Sequence, residues 1–160
     1  MQFLHDKMNI VHRDLKHENI LMGLKSPDPW CEDERQPTIK VCDFTTAFVL
    51  PSPDYRESIN AGTLAFNAPE LFTQPDCLPK PLDVWAFGVS LYVYLTNNLP
   101  VSLEGDFEQN LEKADFDDIV QSLEEVSEQL KELLSAIFNR DPKGRPTFET
   151  ILGHKWFEGY

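Results

Sequence analysis

The run from Leu82 to Leu95, LDVWAFGVSLYVYL, limits the fold more than any other stretch of this chain. It is apolar nearly all round at helical spacing, so a helix here has no polar face to offer water and has to be buried. Its most apolar part, Val84 to Leu95, is shorter than the ~18 residues a bilayer span needs and is interrupted by Gly88 and Ser90. Shorter helices are therefore expected to ring this one. Pro81 and Asp83 open it. An aspartate in such a helix is tolerated inside only with hydrogen-bond partners, because a stranded buried charge is strongly unfavourable. With 160 residues, 41% hydrophobic and 26% charged, the chain suffices for one soluble domain with a real core.

Local patterns divide the remainder. Met1, Leu4 and Met8 have helical spacing with nothing capping their start, which reads as the tail of a helix already under way. Ile10-Val11 and Ile20 to Met22 read as short strands. Gly23 to Pro37, with three prolines and the acidic cluster Glu32, Asp33 and Glu34, reads as a variable surface loop. Thr38 to Val41 alternates like a strand, and pairing it with Ile20 to Met22 predicts a hairpin that brings Asp43 near Asn19. Ile119, Leu123, Val126, Leu130, Leu133 and Ile137 keep a helical period, broken in two where Ser127 stands as an N-cap. Arg140-Asp141-Pro142 stops the second of these, and Thr147 caps a last helix that closes near Gly153.

Chemistry concentrates between Val11 and Leu21, VHRDLKHENIL. Asp14, Lys16 and Asn19 are spaced so that a compact loop can aim a base, a cation and a metal-seeking amide at one point. Phosphoryl transfer requires those parts: a carboxylate for the attacking hydroxyl, a positive charge on the moving phosphate and an oxygen ligand for Mg²⁺. A net charge of −13 argues against affinity for nucleic acid or anionic membrane. It suits a basic peptide, although the acidic run Glu104 to Glu132 reads as a solvated helix face. Cys31, Cys42 and Cys77 are odd in number and without a CxxC, so reduced thiols and a cytoplasmic or nuclear setting are expected.

Six stretches, in order, resemble the motifs of eukaryotic protein kinases. His12 to Asn19 resembles the catalytic loop H-R-D-L-x-x-x-N, Asp43-Phe44-Thr45 the D-F-G motif, and Gly62 to Glu70 the G-T-x-x-[YF]-x-A-P-E close of the activation segment. Asp83 to Val89 is similar to D-V-W-[AS]-x-G-V, Arg140 to Thr147 to the final-helix signature, and His154 to Phe157 to the domain's close. Lys16 and Thr63 place the likeness in the serine/threonine branch, and the G-T-x-A-F-x-A-P-E form resembles calmodulin-dependent-kinase kinases.

The resemblance implies roles. Asp14, Lys16 and Thr63 are the catalytic residues; Lys16, Asn19, Leu21 and Asp43 contact the nucleotide; Asn19 and Asp43 bind metal. His12, Arg13, Phe44, Glu70, Asp83 and Arg145 are structural, with Phe44 packed into the core, Asp83 accepting from the backbone of His12 and Arg13, and Arg145 paired with Glu70. Ser58 is the candidate phosphosite, with Arg13 as the phosphate's candidate partner and an upstream kinase or regulatory protein to act on it; the alternative is a loop serine that stays unmodified. Thr45, where the motif has glycine, is expected to restrict the backbone there. The cofactors implied are ATP and Mg²⁺, with Mn²⁺ as a substitute, and the partner is a protein carrying the acceptor serine or threonine.

The expected architecture is mainly α, the C-lobe of a protein kinase: a helical bundle around a buried central helix, with a small β-hairpin carrying the site loops and the N-lobe absent. It divides into a catalytic loop (11–21), the variable loop (23–37), an activation segment (43–70) and C-terminal helices (81–157). No G-x-G-x-x-G or V-A-I-K-like stretch occurs in the sequence. The function expected is transfer of the ATP γ-phosphate to protein serine or threonine, with the isolated chain inactive. The alternative is a non-catalytic, kinase-like binding or scaffold module.

Overall fold

The computed structural model describes residues 1–23, 38–52, 54–59 and 61–158. Of the variable loop (23–37), Gly23 belongs to a strand and the rest, with Cys31, lies outside the described residues. Among the described residues seven α-helices run in the order α1 (Gln2–Asp6), α2 (Glu70–Thr73), α3 (Pro79–Thr96), α4 (Phe107–Lys113), α5 (Phe116–Gln121), α6 (Glu128–Ile137) and α7 (Phe148–Leu152). Four short strands of the described residues precede α2: β1 (Ile10–Val11), β2 (Ile20–Gly23), β3 (Thr38–Val41) and β4 (Phe48–Val49).

The apolar helix is α3, and it starts at Pro79, a turn before the expected Pro81-Asp83. Proline at the first helical position costs nothing, since the first amides of a helix have no partner within it. Leu82 to Ala86 and Gly88 to Ser90 are buried, but the last turns emerge, and Tyr94 is exposed. Asn97, left-handed at φ 55°, ends the helix. Around the buried half, Trp85 meets Phe116 of α5 and Phe138 beyond α6 edge-on, with ring centroids 4.9 and 5.2 Å apart. Leu130, Leu133, Leu134 and Ile137 turn the apolar stripe of α6 into the same core. The contact is close because position 88 has no side chain: a Cβ there would stand 2.4 Å from Ile137 Cγ2.

Caps set the helix boundaries where the sequence offered them. Asp106, Asp115, Ser127 and Thr147 each accept a backbone amide in the first turn of α4, α5, α6 and α7. The break at Ser127 therefore falls where its hydroxyl meets Leu130 N. The acidic side chains of α4 and α5 are solvated.

The strands form two antiparallel pairs instead of a single hairpin. β2 pairs with β3 in the register Ile20↔Val41 to Gly23↔Thr38. β1 pairs with β4, Ile10 opposite Val49 and Val11 opposite Phe48. β4, inside the stretch assigned to the activation segment (43–70), is anchored by the amide of Leu50 on Asn9 O at 2.7 Å. The β-structure that carries the site loops is thus larger than the expected hairpin.

Gly88→Ala is expected to lower stability by about 1–3 kcal/mol by overpacking α3 against α6. Gly153→Ala, where a Cβ meets nothing nearer than 3.7 Å, should leave the urea midpoint nearly unchanged.

Candidate active site

The loop after β1 is held from below by one carboxylate. Asp83 is 1% exposed and accepts the amides of His12 at 2.8 Å and Arg13 at 2.9 Å. A third partner is the ring of His5, whose Nε2 lies 2.8 Å from Asp83 Oδ2. His12 is fully buried, and its Nε2 faces Cys42 O at 3.0 Å, which requires the proton on that nitrogen. Arg13 adopts φ 65°, a left-handed conformation that costs a non-glycine residue about 1–2 kcal/mol. The turn it makes delivers Asp14 to the surface.

Asp14, Lys16 and Thr63 close a triangle. Thr63 Oγ1 donates to Asp14 Oδ1 at 2.7 Å, and Lys16 Nζ lies 2.7 Å from Thr63 Oγ1 and 3.1 Å from Asp14 Oδ2. Forty-nine positions separate Asp14 from Thr63, so the meeting depends on how the later segment crosses the loop. Gly62 permits that crossing. Its φ is 98°, and a Cβ there would lie 2.8 Å from Arg13 O and 3.0 Å from Asn67 Oδ1. The result is a carboxylate with the Thr63 hydroxyl on one oxygen and Lys16 Nζ on the other, the arrangement of a fixed base beside a fixed cation.

Asn19 and Asp43 approach through the β2–β3 pairing, which continues in the bond from Cys42 N to Asn19 O at 2.9 Å. Asn19 is buried and donates Nδ2 to Asp14 O at 2.9 Å, which leaves its amide oxygen as the outward acceptor. Asp43 has φ 60° and is exposed. The hydroxyl of Thr45, 2.6 Å from Asp43 Oδ1, and then the Thr45 amide hold the Asp43 carboxyl below the usual aspartate range. One amide oxygen and one carboxylate oxygen fit a hard divalent cation such as Mg²⁺. Among the described residues no group of three or more His, Cys, Asp or Glu forms a metal site.

Several residues depart from expectation. The left-handed backbone is at Asp43 and not at Thr45; Thr45 sits in a turn and spends its hydroxyl on the aspartate. Phe44 is 44% exposed and packs on the His12 ring at 4.9 Å, where the core was expected to take it. The core beneath is already closed by His12 itself, so Phe44 covers that ring from outside. Leu21 is 52% exposed on β2. Arg13 does not turn toward Ser58, which is exposed, and pairs instead with Glu57 Oε1 at 3.0 Å. Arg145 and Glu70 do meet: Nη1 and Nη2 each lie 2.6 Å from one carboxylate oxygen, both side chains essentially dry. The same guanidinium donates to Asn139 O and Pro81 O and lies over the Trp85 ring at 4.8 Å.

A comparison with protein families matches residues 1–157 to the protein kinase domain. The chain belongs to this family. It is 32% identical over 157 residues to serine/threonine-protein kinase D3 of Mus musculus, covering 98% of this chain and 16% of that protein. Against serine/threonine-protein kinase SRK2J of Arabidopsis thaliana the identity is 34% over 169 residues, 98% of this chain and 44% of the relative. Serine/threonine-protein kinase dkf-2 of Caenorhabditis briggsae is 31% identical over all 160 residues, which span 12% of that protein. None of these three is named as a calmodulin-dependent-kinase kinase.

The match corrects one expectation. A mainly α chain consisting of a C-lobe alone, with the N-lobe absent, does not stand. The match to the protein kinase domain takes in residues 1–157, and the early part of that stretch carries the β-structure of β1 to β4. The chain is a protein kinase domain with strands and helices together.

Sequence reasoning missed two residues of this kinase site. His5 has no motif around it, and only its place in an apolar helical face gave a hint. Glu57 is one residue from the serine singled out, and alternation along an extended segment is the signal that would have separated them.

Arg145→Met should destabilise the domain by about 3–5 kcal/mol, because it strands the Glu70 carboxylate in the core. Urea denaturation should show the double variant Glu70→Met/Arg145→Met recovering part of that loss, the carbonyls of Asn139 and Pro81 still lacking their donor.

Proposed function

We propose that this protein is a serine/threonine protein kinase that transfers the γ-phosphate of ATP to a serine or threonine hydroxyl of a protein substrate. The observation that carries the reading is the Asp14–Thr63–Lys16 triangle. Asp14 accepts the hydrogen of the attacking hydroxyl, and Thr63 fixes which Asp14 oxygen remains for it. Lys16 places its charge where the phosphoryl group passes. Asn19 and Asp43 would hold Mg²⁺, or Mn²⁺ in its place, and such an ion neutralises phosphate charge during transfer. Leu21, exposed on β2, offers an apolar floor for the adenine. The names of the relatives support the serine/threonine class, and the net charge of −13 favours a basic substrate.

Cytoplasmic placement, with the nucleus as the alternative, is part of the same reading and is supported by the free thiols Cys42 and Cys77. Burial, with the Glu70 charge nearby, pushes the Cys77 thiol up to about 11, so it stays protonated and unreactive near neutrality. No helix among the described residues is long and apolar enough to cross a membrane.

Little turnover is expected of these 160 residues alone, since no glycine-rich phosphate loop or strand lysine occurs in the sequence. A second reading, a non-catalytic binding module, is favoured by Met22 and Ile39, which stand opposite each other on the β2–β3 pair, 68% and 66% exposed.

Calorimetric titration with Mn²⁺ and ATP separates the two. The kinase reading expects metal-dependent nucleotide binding that Asp43→Asn abolishes and Asp14→Asn leaves intact, with any phosphate transfer to a serine peptide reduced to background by Asp14→Asn. Equal nucleotide binding in the wild type and Asp43→Asn contradicts it.

A further inference from the structure

Arg13 is occupied on three sides. Its Nε donates to Thr46 O at 2.6 Å, its Nη1 to Glu57 Oε1 at 3.0 Å, and its guanidinium lies over the Phe48 ring at 5.1 Å. The Arg13 and Glu57 side chains are 19% and 17% exposed, far drier than the ion pairs His17–Glu18 and Lys155–Glu132 at the surface. Glu57 is also fixed through its backbone. Its amide donates to Cys77 O at 3.2 Å and its carbonyl accepts Cys77 N at 3.0 Å. Cys77 is itself buried, with its thiol on Glu70 O at 3.3 Å.

We propose that Glu57 is a built-in anionic partner of Arg13, a positioning residue that holds the segment before Gly62 against the catalytic loop without covalent modification. The proposal deepens the kinase reading and rests on it for the meaning of Asp14. The chain of contact is short. Glu57 fixes the Arg13 side chain, Asp83 fixes the Arg13 amide, and the next residue is Asp14. Thr46, bonded to Arg13 through its carbonyl, returns its hydroxyl to His12 O at 2.9 Å.

Ser58 does not compete for this role. It is the exposed neighbour on an extended segment, so its side chain leaves on the opposite side from Glu57. A phosphate there carries about −1.5 to −2 charge, but on the side away from Arg13, whose charge Glu57 already neutralises. Phe48, the ring under the Arg13 guanidinium, brings no charge of its own. Arg56, the one lysine or arginine in the 43–70 sequence, is exposed and donates to Asp76 O at 3.3 Å.

The test is amide exchange on the full chain, read in peptides covering 12–16 and 54–59, for wild type, Glu57→Gln, Glu57→Gly and Ser58→Ala. Glu57→Gln is expected to speed exchange in both peptides about tenfold or more, the loss of one charge-assisted hydrogen bond, while Ser58→Ala matches wild type. Glu57→Gly leaves an anion-sized gap beside Arg13. Inorganic phosphate at millimolar concentration should bind that variant and restore protection, and should do neither to the wild type. A merely structural glutamate would not be replaced by a free anion. Unchanged exchange in Glu57→Gln, or loosening in Glu57→Gly that phosphate fails to reverse, overturns the proposal. So does added protection of 12–16 when Ser58 of the wild type is phosphorylated. None of these readouts needs nucleotide or phosphate transfer, so they succeed or fail separately from the Mn²⁺-ATP titration.

Discussion

One carboxylate, that of Asp83, organises the site. A charge 1% exposed in the central helix is tolerable only with its hydrogen-bonding capacity filled, and three donors fill it: two successive loop amides and the His5 ring. The same bonds hold Arg13 in a left-handed conformation that its side chain disfavours. Helix and loop therefore stabilise each other. Neither the buried aspartate nor the strained turn is reasonable alone, and together they put Asp14 at a fixed height above α3.

From that base the later segment is fastened at three points of different chemistry. Thr63 meets Asp14 and Lys16 through a hydroxyl. Glu57 meets Arg13 through an ion pair that is partly dry. Glu70, at the segment's end, meets Arg145 through a bidentate pair in the core. The three lie where water is scarcer than at exposed pairs such as Lys155–Glu132, which contribute little, so each is held more firmly. Gly62, between the first two, lets the backbone pass over Arg13 where any side chain would collide.

The sequence made the parts legible where a physical signal is local. An all-round apolar run announced α3, a serine after a polar break announced the start of α6, and a polar loop between alternating strands announced the β2–β3 pair. The Asp14–Thr63–Lys16 triangle was legible through its motif, since no local rule brings Thr63 across 49 positions to Asp14. What stayed hidden depends on three-dimensional neighbours. β4 is two residues long and exists because β1 is there to pair with it. His5 matters because Asp83 needs a third partner, and Phe44 stays outside because His12 fills the space below it. The lobe-only, mainly α reading failed for a related reason: strand content depends on tertiary pairing, which short segments do not advertise.

The dependence of the loop on Asp83 is tested most directly at the backbone amides of His12 and Arg13. Amide-resolved hydrogen exchange should show both among the slowly exchanging positions of the wild type, although they lie in a loop, and Asp83→Asn should release both while the amides in the middle of α6 stay protected. Rapid exchange at His12 and Arg13 in the wild type would contradict the account, because the carboxylate would then not be holding the loop.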